Sequence, residues 1–516
     1  MREFISKRKR IICILAPAFF GVLYMFICSF NLRSSVWFDE SFSAYLTHFD
    51  FGKIWELTAA DVHPPLFYFL LKIWAHIFGH TDFAMRFMSV FFGAAAIMFA
   101  YMWLKYKYGA RAAVISALLL TLSPTLIRYG QEMRMYTMVF AIVAAGTYFL
   151  QLAIDNGQKK WWAIYAILLA IGMWTHYFTA FAWMAHLVYL FIIYGKKIWQ
   201  KQIILTYVLA IMLFLPWIPG LIHQTVTVQT TGFWIPEVSV NSVANFWTET
   251  LVYEEATGAT NWLLPLVIIS TSVIAMFIIR YYKQMRMLLC MLVVPLICLI
   301  LLSMPPLNSM FIPRYVIYSS AALAAISGVG MTIYVNDLTT KKERRKNKSK
   351  TSWYRQPALM GAICVVILIA TGVVGVSSVY AKRNYSFENH NINTANELFE
   401  TVVAVDNGQK LPIVVNSVWL YYDLSFYETD DYNVFFISEQ TDYEFGSLAP
   451  LQQSYFGRID NLDDFLSKNE ELWYVGFLPE EGDIEFPSED YEITESMVLN
   501  FHKDGGTYQA FHLKRN

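Results

Sequence analysis

Asp39 and Glu40 stand side by side just past the first long apolar run, behind Trp37 and Phe38, and Asp61, His63, Pro64 and Pro65 follow in the same interval. Two carboxylates at a membrane surface are costly to hold and useful for moving protons. The plain role for the pair is a helix start, with Asp39 as N-cap and Glu40 in the first turn of a helix over Ser41–Leu46. The aromatic neighbours argue for more, because they would hold the acids at the interface, where a lowered dielectric favours a protonatable carboxylate. His63 precedes two prolines that fix the entry to the next helix, with Pro65 suited to its first position. That histidine is either structural, or a donor to a phosphate, or with Asp39 and Glu40 the third ligand of a divalent cation.

A second group of chemistry-bearing residues lies in SPTLIRYGQEMRMY, residues 123–136. Arg128 and Arg134 flank Glu132, and Tyr136 closes the stretch. Snorkelling at a helix end explains an arginine near an interface, but explains the Gln131-Glu132 insert between two arginines less well. Arg86 sits about one turn inside the second apolar run, 83–104, where a charge needs a partner or a function. Lys72 lies inside the short apolar segment Leu66–Gly79. A polyprenyl phosphate, with its tail in lipid and its anionic head at the surface, suits these cations.

The elements that must position these residues are mostly membrane spans. The chain has 516 residues, 56% of them hydrophobic, and apolar stretches of about twenty residues recur, the length that crosses ~30 Å of hydrocarbon. Eleven spans are predicted, over 11–30, 83–104, 112–128, 135–154, 161–175, 177–195, 203–222, 262–280, 286–304, 312–334 and 357–380. With the N-terminus inside, nearly every Lys/Arg cluster falls in a cytoplasmic loop, including Lys105–Arg111, Lys196–Lys201, Arg280–Arg286 and Lys341–Lys350. Leu66–Gly79 is only fourteen residues long, so it reads as an interfacial or re-entrant helix in a first outer loop, residues 31–82. The 223–261 loop contains no Lys or Arg. Against that background the outer cations Arg33, Lys53, Lys72, Arg86, Arg128, Arg134 and Arg314 stand out.

The charge is unevenly shared. Residues 381–516 carry 25 Asp and Glu against 8 Lys and Arg, leaving 15 against 31 for the rest. The expected division is a transmembrane domain over 1–380 and an outer soluble α/β domain over 381–516. Strands are expected near Leu411–Val415, Tyr432–Ile437, Leu472–Phe477 and Thr507–Leu513, with a helical stretch at Trp419–Tyr427. That domain has no nucleophile elbow, metal-ligand spacing or Gly-rich phosphate loop. All five cysteines lie in apolar runs, which excludes a disulfide framework. The basic excess serves membrane orientation and is no argument for nucleic acid. No P-loop motif is present, which argues against ATP-driven transport.

The order WFDE, HPPL, a short amphipathic helix, FAMRFMSV and SPTLIRYGQEMRMY closely resembles the protein O-mannosyltransferase-like glycosyltransferases of family 39, which share the GT-C membrane fold with lipid A aminoarabinose transferases. The motifs cover about residues 30–145, and the rest of the membrane part follows by pattern. The resemblance implies a multi-pass cell-membrane enzyme that takes a sugar from a polyprenyl-phosphate donor on the outer face and inverts its anomeric carbon. It maps the general base to Asp39, and His63, Pro64, Pro65 and Arg86 to the neighbourhood of the donor. Glu40 and Glu132 complete the candidate acids, and Lys72, Arg128, Arg134 and Tyr136 the candidate substrate-binding set. The family's second acid falls here on Tyr136, with Glu132 as the carboxylate that can replace it. The expected partners are the lipid-linked donor, an envelope acceptor (protein, glycan or lipid) and the bilayer. Two rival classes are a lipid-linked oligosaccharide flippase and a non-catalytic membrane partner. The first calls for charges at mid-membrane depth and repeat-related broken helices, whereas here the charges gather at one face.

Overall fold

The computed structural model describes residues 2–30, 32–231, 235–254, 263–344, 357–381, 394–438, 449–452, 456–478, 483–500 and 507–516. Parts of the Lys341–Lys350 cluster and of the 223–261 loop lie outside them. All eleven predicted spans fall on helices. Among the described residues, seven helices are long and apolar enough to cross a membrane, eight if one bent pair counts as a span. The chain is a multi-pass membrane protein. The other three expected spans fall on shorter helices: the described part of the first, Leu15–Cys28, then Lys159–Thr175 with 17 residues and Arg286–Leu302 with 17.

The bent pair is the element expected as one span over 112–128. It breaks into Ala110–Thr121 and Pro124–Gly130, at 56° to each other. Leu122 leaves helical geometry, Ser123 accepts a hydrogen bond from the Leu126 N–H, and Pro124 opens the second helix. A proline disfavours helical geometry in the residue before it and suits a first helical position, so Ser-Pro both ends one helix and starts the next. The residues group into two compact units that cut the chain differently from a boundary at 380. One comprises 1–30 and 86–380, the other 31–85 and 381–516.

In the first unit, the Pro124–Gly130 helix lies against the first helix of the chain. Tyr24 donates to the Leu126 carbonyl at 2.7 Å, and a Cβ on Gly130 would collide with the Tyr24 hydroxyl and Cys28 Sγ. Gln131 Nε2 donates to the Cys28 carbonyl (3.1 Å), the Phe30 carbonyl (3.3 Å) and Tyr380 Oη (2.8 Å). These contacts anchor the segment that carries Arg128, Glu132 and Arg134.

In the second unit, six strands form one mixed sheet in the order β3-β2-β1-β4-β6-β5. They are β1 (Ile413–Val415), β2 (Val434–Ile437), β3 (Arg458–Ile459), β4 (Glu471–Phe477), β5 (Tyr491–Asn500) and β6 (Thr507–Arg515). The first four run parallel, and β6 lies antiparallel to both β4 and β5. The predicted α/β tail is present, with a helix at Val418–Ser425 crossing from β1 to β2. Residues 31–85 join this unit for a local reason. Phe38, Phe42 and Tyr45 recur at helical spacing on Phe38–Leu46, and that stripe meets Trp419, Tyr421 and Tyr422 of the crossover helix. Ring centroids lie 4.3 Å apart for Phe38 and Trp419, 5.9 Å for Phe42 and Tyr422, and 5.2 Å for Tyr45 and Tyr422. Buried aromatic pairs in edge-on geometry add about 0.5–1.5 kcal/mol each beyond the area they cover.

Candidate active site

The acid pair sits in the first turn of the Phe38–Leu46 helix, with Trp37 rather than Asp39 at the N-cap. The positive end of a helix dipole favours carboxylates there. The two acids differ in access: Asp39 is half-buried, whereas Glu40 is only 1% exposed. A group that must meet a substrate hydroxyl has to be reachable, which favours Asp39.

His63 lies 3.5 Å (Nδ1) from Asp61 Oδ2, and both side chains are largely buried. Among the described residues no three His, Cys, Asp or Glu side chains group as metal ligands. The cation site read from Asp39, Glu40 and His63 is therefore corrected, since His63 is drawn to Asp61 instead. The helix after the prolines is Leu66–Phe78, with Pro65 as its N-cap rather than its first residue. At 13 residues it is too short to cross hydrocarbon upright, as expected. Lys72 Nζ donates to the Thr47 carbonyl at 2.7 Å, which ties this helix to the end of the acid helix. The ammonium thus has a structural task, whatever its remaining hydrogens reach.

The second group belongs to the other unit. Arg128 pairs with Glu132 at 2.7 Å, with 11% and 1% of their side chains exposed, and Arg128 Nε donates to Tyr253 Oη at 3.1 Å. Arg134 is 3% exposed and Arg86 2%. Two hydrogen bonds join the Asp82–Tyr108 helix to the turn of Arg134 and to the Tyr136–Asn156 helix that follows it. Ser89 Oγ donates to the Arg134 carbonyl at 3.1 Å, and Thr137 Oγ1 donates to the Ser89 carbonyl at 2.7 Å. Arg86 stands one turn before Ser89 on the same helix, so both arginines are carried at this joint. Tyr136 lies under the guanidinium of Arg314, 5.6 Å from its ring centroid, and beside His176 and Tyr315 at 6.3 Å each.

Arg314 is 4% exposed and was legible only as an outer cation. Its signal was an arginine inside the apolar run FIPRYV, where a charge is expensive. His176 and Tyr253 had no sequence signal of their own, because they reach the cluster from distant segments. Three buried arginines and the largely buried Arg128, with Glu132 and several phenols, make a strongly cationic group suited to a phosphate or to charge that develops on a leaving oxygen.

Residues 62–219 match the family model described as dolichyl-phosphate-mannose-protein mannosyltransferase. The match includes His63, Arg86 and the 123–136 stretch and begins after Asp39 and Glu40. Among solved structures the chain is similar to ArnT from Cupriavidus metallidurans in the apo state, at 14% identity and a TM-score of 0.58 over 97% of each chain. This is a GT-C fold. The ArnT structure bound to undecaprenyl phosphate is similar at 15% identity and a TM-score of 0.55, again over 97% of each chain. None of the curated proteins matches this chain. The resemblance read from the ordered motifs, WFDE to SPTLIRYGQEMRMY, thus agrees with both the family model and the fold.

Proposed function

We propose that this GT-C protein is a membrane glycosyltransferase that moves a sugar from a polyprenyl-phosphate donor to an envelope acceptor on the outer face of the cell membrane. The observation that carries the reading is the set of arginines Arg86, Arg134 and Arg314, all buried, with the largely buried Arg128, in a fold shared with a protein solved with undecaprenyl phosphate. Guanidinium groups taken out of water are costly to hold, and an anionic ligand adds to what compensates them.

Asp39 takes the proton from the acceptor hydroxyl as its oxygen attacks the anomeric carbon. The new C–O bond forms on the face opposite the breaking bond to phosphate, so the configuration inverts. The leaving polyprenyl phosphate keeps the electron pair, and the arginines spread its charge. Glu132, held ion-paired to Arg128, limits the cationic excess and orients that guanidinium. Tyr136, beneath Arg314, completes this donor-binding set.

Mass spectrometry of envelope glycans and polyprenyl-phosphate sugars, in cells with and without the protein, tests the reading. Loss of one glycan modification with accumulation of one lipid-linked sugar is the expected result. Identical profiles in both overturn it.

The reading also requires the acid pair and the 381–516 domain to face outward. Lys197 and Lys468, both exposed, are suitable reporters, since among the described cysteines only Cys298 is more than slightly accessible. In intact cells Lys468→Cys should react with membrane-impermeant thiol reagents, and Lys197→Cys only with permeant ones. Equal labelling of both by impermeant reagent would sink the orientation.

A further inference from the structure

Asp423 belongs to the Val418–Ser425 helix of the C-terminal domain, yet its carboxylate is directed at the helix that carries the acid pair. A hydrogen bond joins Asp423 Oδ1 to Ser41 Oγ, across 382 positions of sequence. Ser41 follows Glu40 directly. Its hydroxyl is also 3.1 Å from the Phe38 carbonyl and 3.3 Å from the Trp37 carbonyl, at the start of the same helix. The surrounding surface is aromatic: Phe38, Phe42 and Tyr45 on one helix, Trp419 and Tyr422 on the other. No cation among the described residues pairs with Asp423. Further contacts hold the chain just before the pair: the Val36 N–H donates to Tyr427 Oη at 2.8 Å, and the Asn396 N–H donates to Ser35 Oγ at 3.1 Å.

A serine hydroxyl has one hydrogen to donate. If Asp423 is protonated, it can donate to Ser41 Oγ, which leaves the serine hydrogen for the Phe38 carbonyl and closes the first turn. If Asp423 is ionised, the serine hydrogen must turn to the carboxylate and the carbonyl loses it. The protonation state of a residue in the tail domain is thereby wired to the turn that holds Asp39 and Glu40.

We infer that Asp423 is a positioning residue for the acid pair: through Ser41 it fixes the turn that carries Asp39 and Glu40. The catalytic side of this inference rests on the reading of Asp39 as the base. Loss of water pushes the Asp423 carboxyl up to about 7, the bond from Ser41 opposes that shift, and the charges of Glu40 and Asp39 add to it. Tyr508 of β6 also faces it, and burial holds that phenol protonated throughout the neutral range.

The test uses the purified full-length chain in detergent. A carboxyl that binds its proton more tightly in the folded state gives stability at low pH that is lost as pH rises from about 4 through about 7. The melting temperature of the wild type should therefore fall further between about pH 5 and about pH 8 than that of Asp423→Asn. That extra fall should shrink when Asp39→Asn and Glu40→Gln are already present. Glu428, also pushed up to about 7 by loss of water, contributes alike to all four proteins and cancels in the comparison. An equal extra fall in both backgrounds, or none in either, overturns the coupling. In transfer assays the rate should show an inflection near pH 7 that Asp423→Asn removes while retaining the bond to Ser41. Asp423→Leu should lose the inflection and also lower kcat. A wild-type inflection that survives in a folded Asp423→Asn overturns the proposal as well. A chain with no transferase activity overturns the function proposed above instead, and the melting comparison still decides this one.

Discussion

Asp39→Asn should lower sugar transfer by about 10²-fold or more, the scale of losing general-base catalysis, while binding of the lipid-linked donor survives. The substitution keeps the size of the side chain and its place in the first turn of Phe38–Leu46. It removes only the ability to accept a proton at neutral pH. Protein stability should change little or improve, since a half-buried charge beside Glu40 is removed. Glu40→Gln should do less damage to transfer: at 1% exposure Glu40 is too enclosed to meet an acceptor hydroxyl, and its influence acts through the charge it places next to Asp39. The two variants therefore separate by kcat, measured with saturating donor. Near-normal turnover in Asp39→Asn would refute the assignment and move the search for the base to Asp61 or Glu132. Each of these already lies beside a side-chain partner, His63 for the first and Arg128 for the second.

How far the chain could be read follows from which interactions are local. Apolar runs of span length announce themselves, and all eleven were placed on helices. The break at Ser123-Pro124 was present in the residues but outweighed by the apolar run around it, because hydropathy counts side chains and not backbone donors. In the tail, β1, β2, β4 and β6 were legible as β-rich apolar runs. β5 was not: its alternation starts at Tyr491 and Ile493 but is broken by the bulge between Ile493 and Glu495, and the residues from Glu492 to Ser496 face solvent. β3 has two residues, fewer than any pattern can register. The site divides the same way. Asp39, Glu40, Arg86 and the 123–136 stretch stand out because charges beside or inside apolar runs need a reason. The contacts that give them one do not, since Ser41 with Asp423, Arg128 with Tyr253, and Tyr136 with Arg314 are pairs made by folding alone. The same limit explains the misread cation site: sequence proximity suggested His63 as a ligand with the acid pair, and the fold turned it to Asp61.

Arg86 carries the second large effect. It is 2% exposed, lies within the first turns of the long Asp82–Tyr108 helix, and shares with Arg134 the joint made by Ser89 and Thr137. If this guanidinium holds the donor phosphate, removing its charge-assisted bonds costs about 1.5–3 kcal/mol, a loss of roughly 10- to 150-fold in kcat/KM. Arg86→Ala should show that loss mainly as a raised KM for the lipid-linked donor, because the phosphate is bound in the ground state as well as in the transition state. Arg86→Lys should recover little of it. A lysine keeps the charge, but a point ammonium cannot reproduce a planar fork that meets two phosphate oxygens at once. A purely structural arginine predicts the reverse pattern: a lower melting temperature for Arg86→Ala, partial rescue by lysine, and donor affinity unchanged in whatever protein remains folded. Donor titration of both variants at matched folded fraction distinguishes the two. Wild-type donor affinity in Arg86→Ala would remove this residue from the site and leave phosphate recognition to Arg128, Arg134 and Arg314.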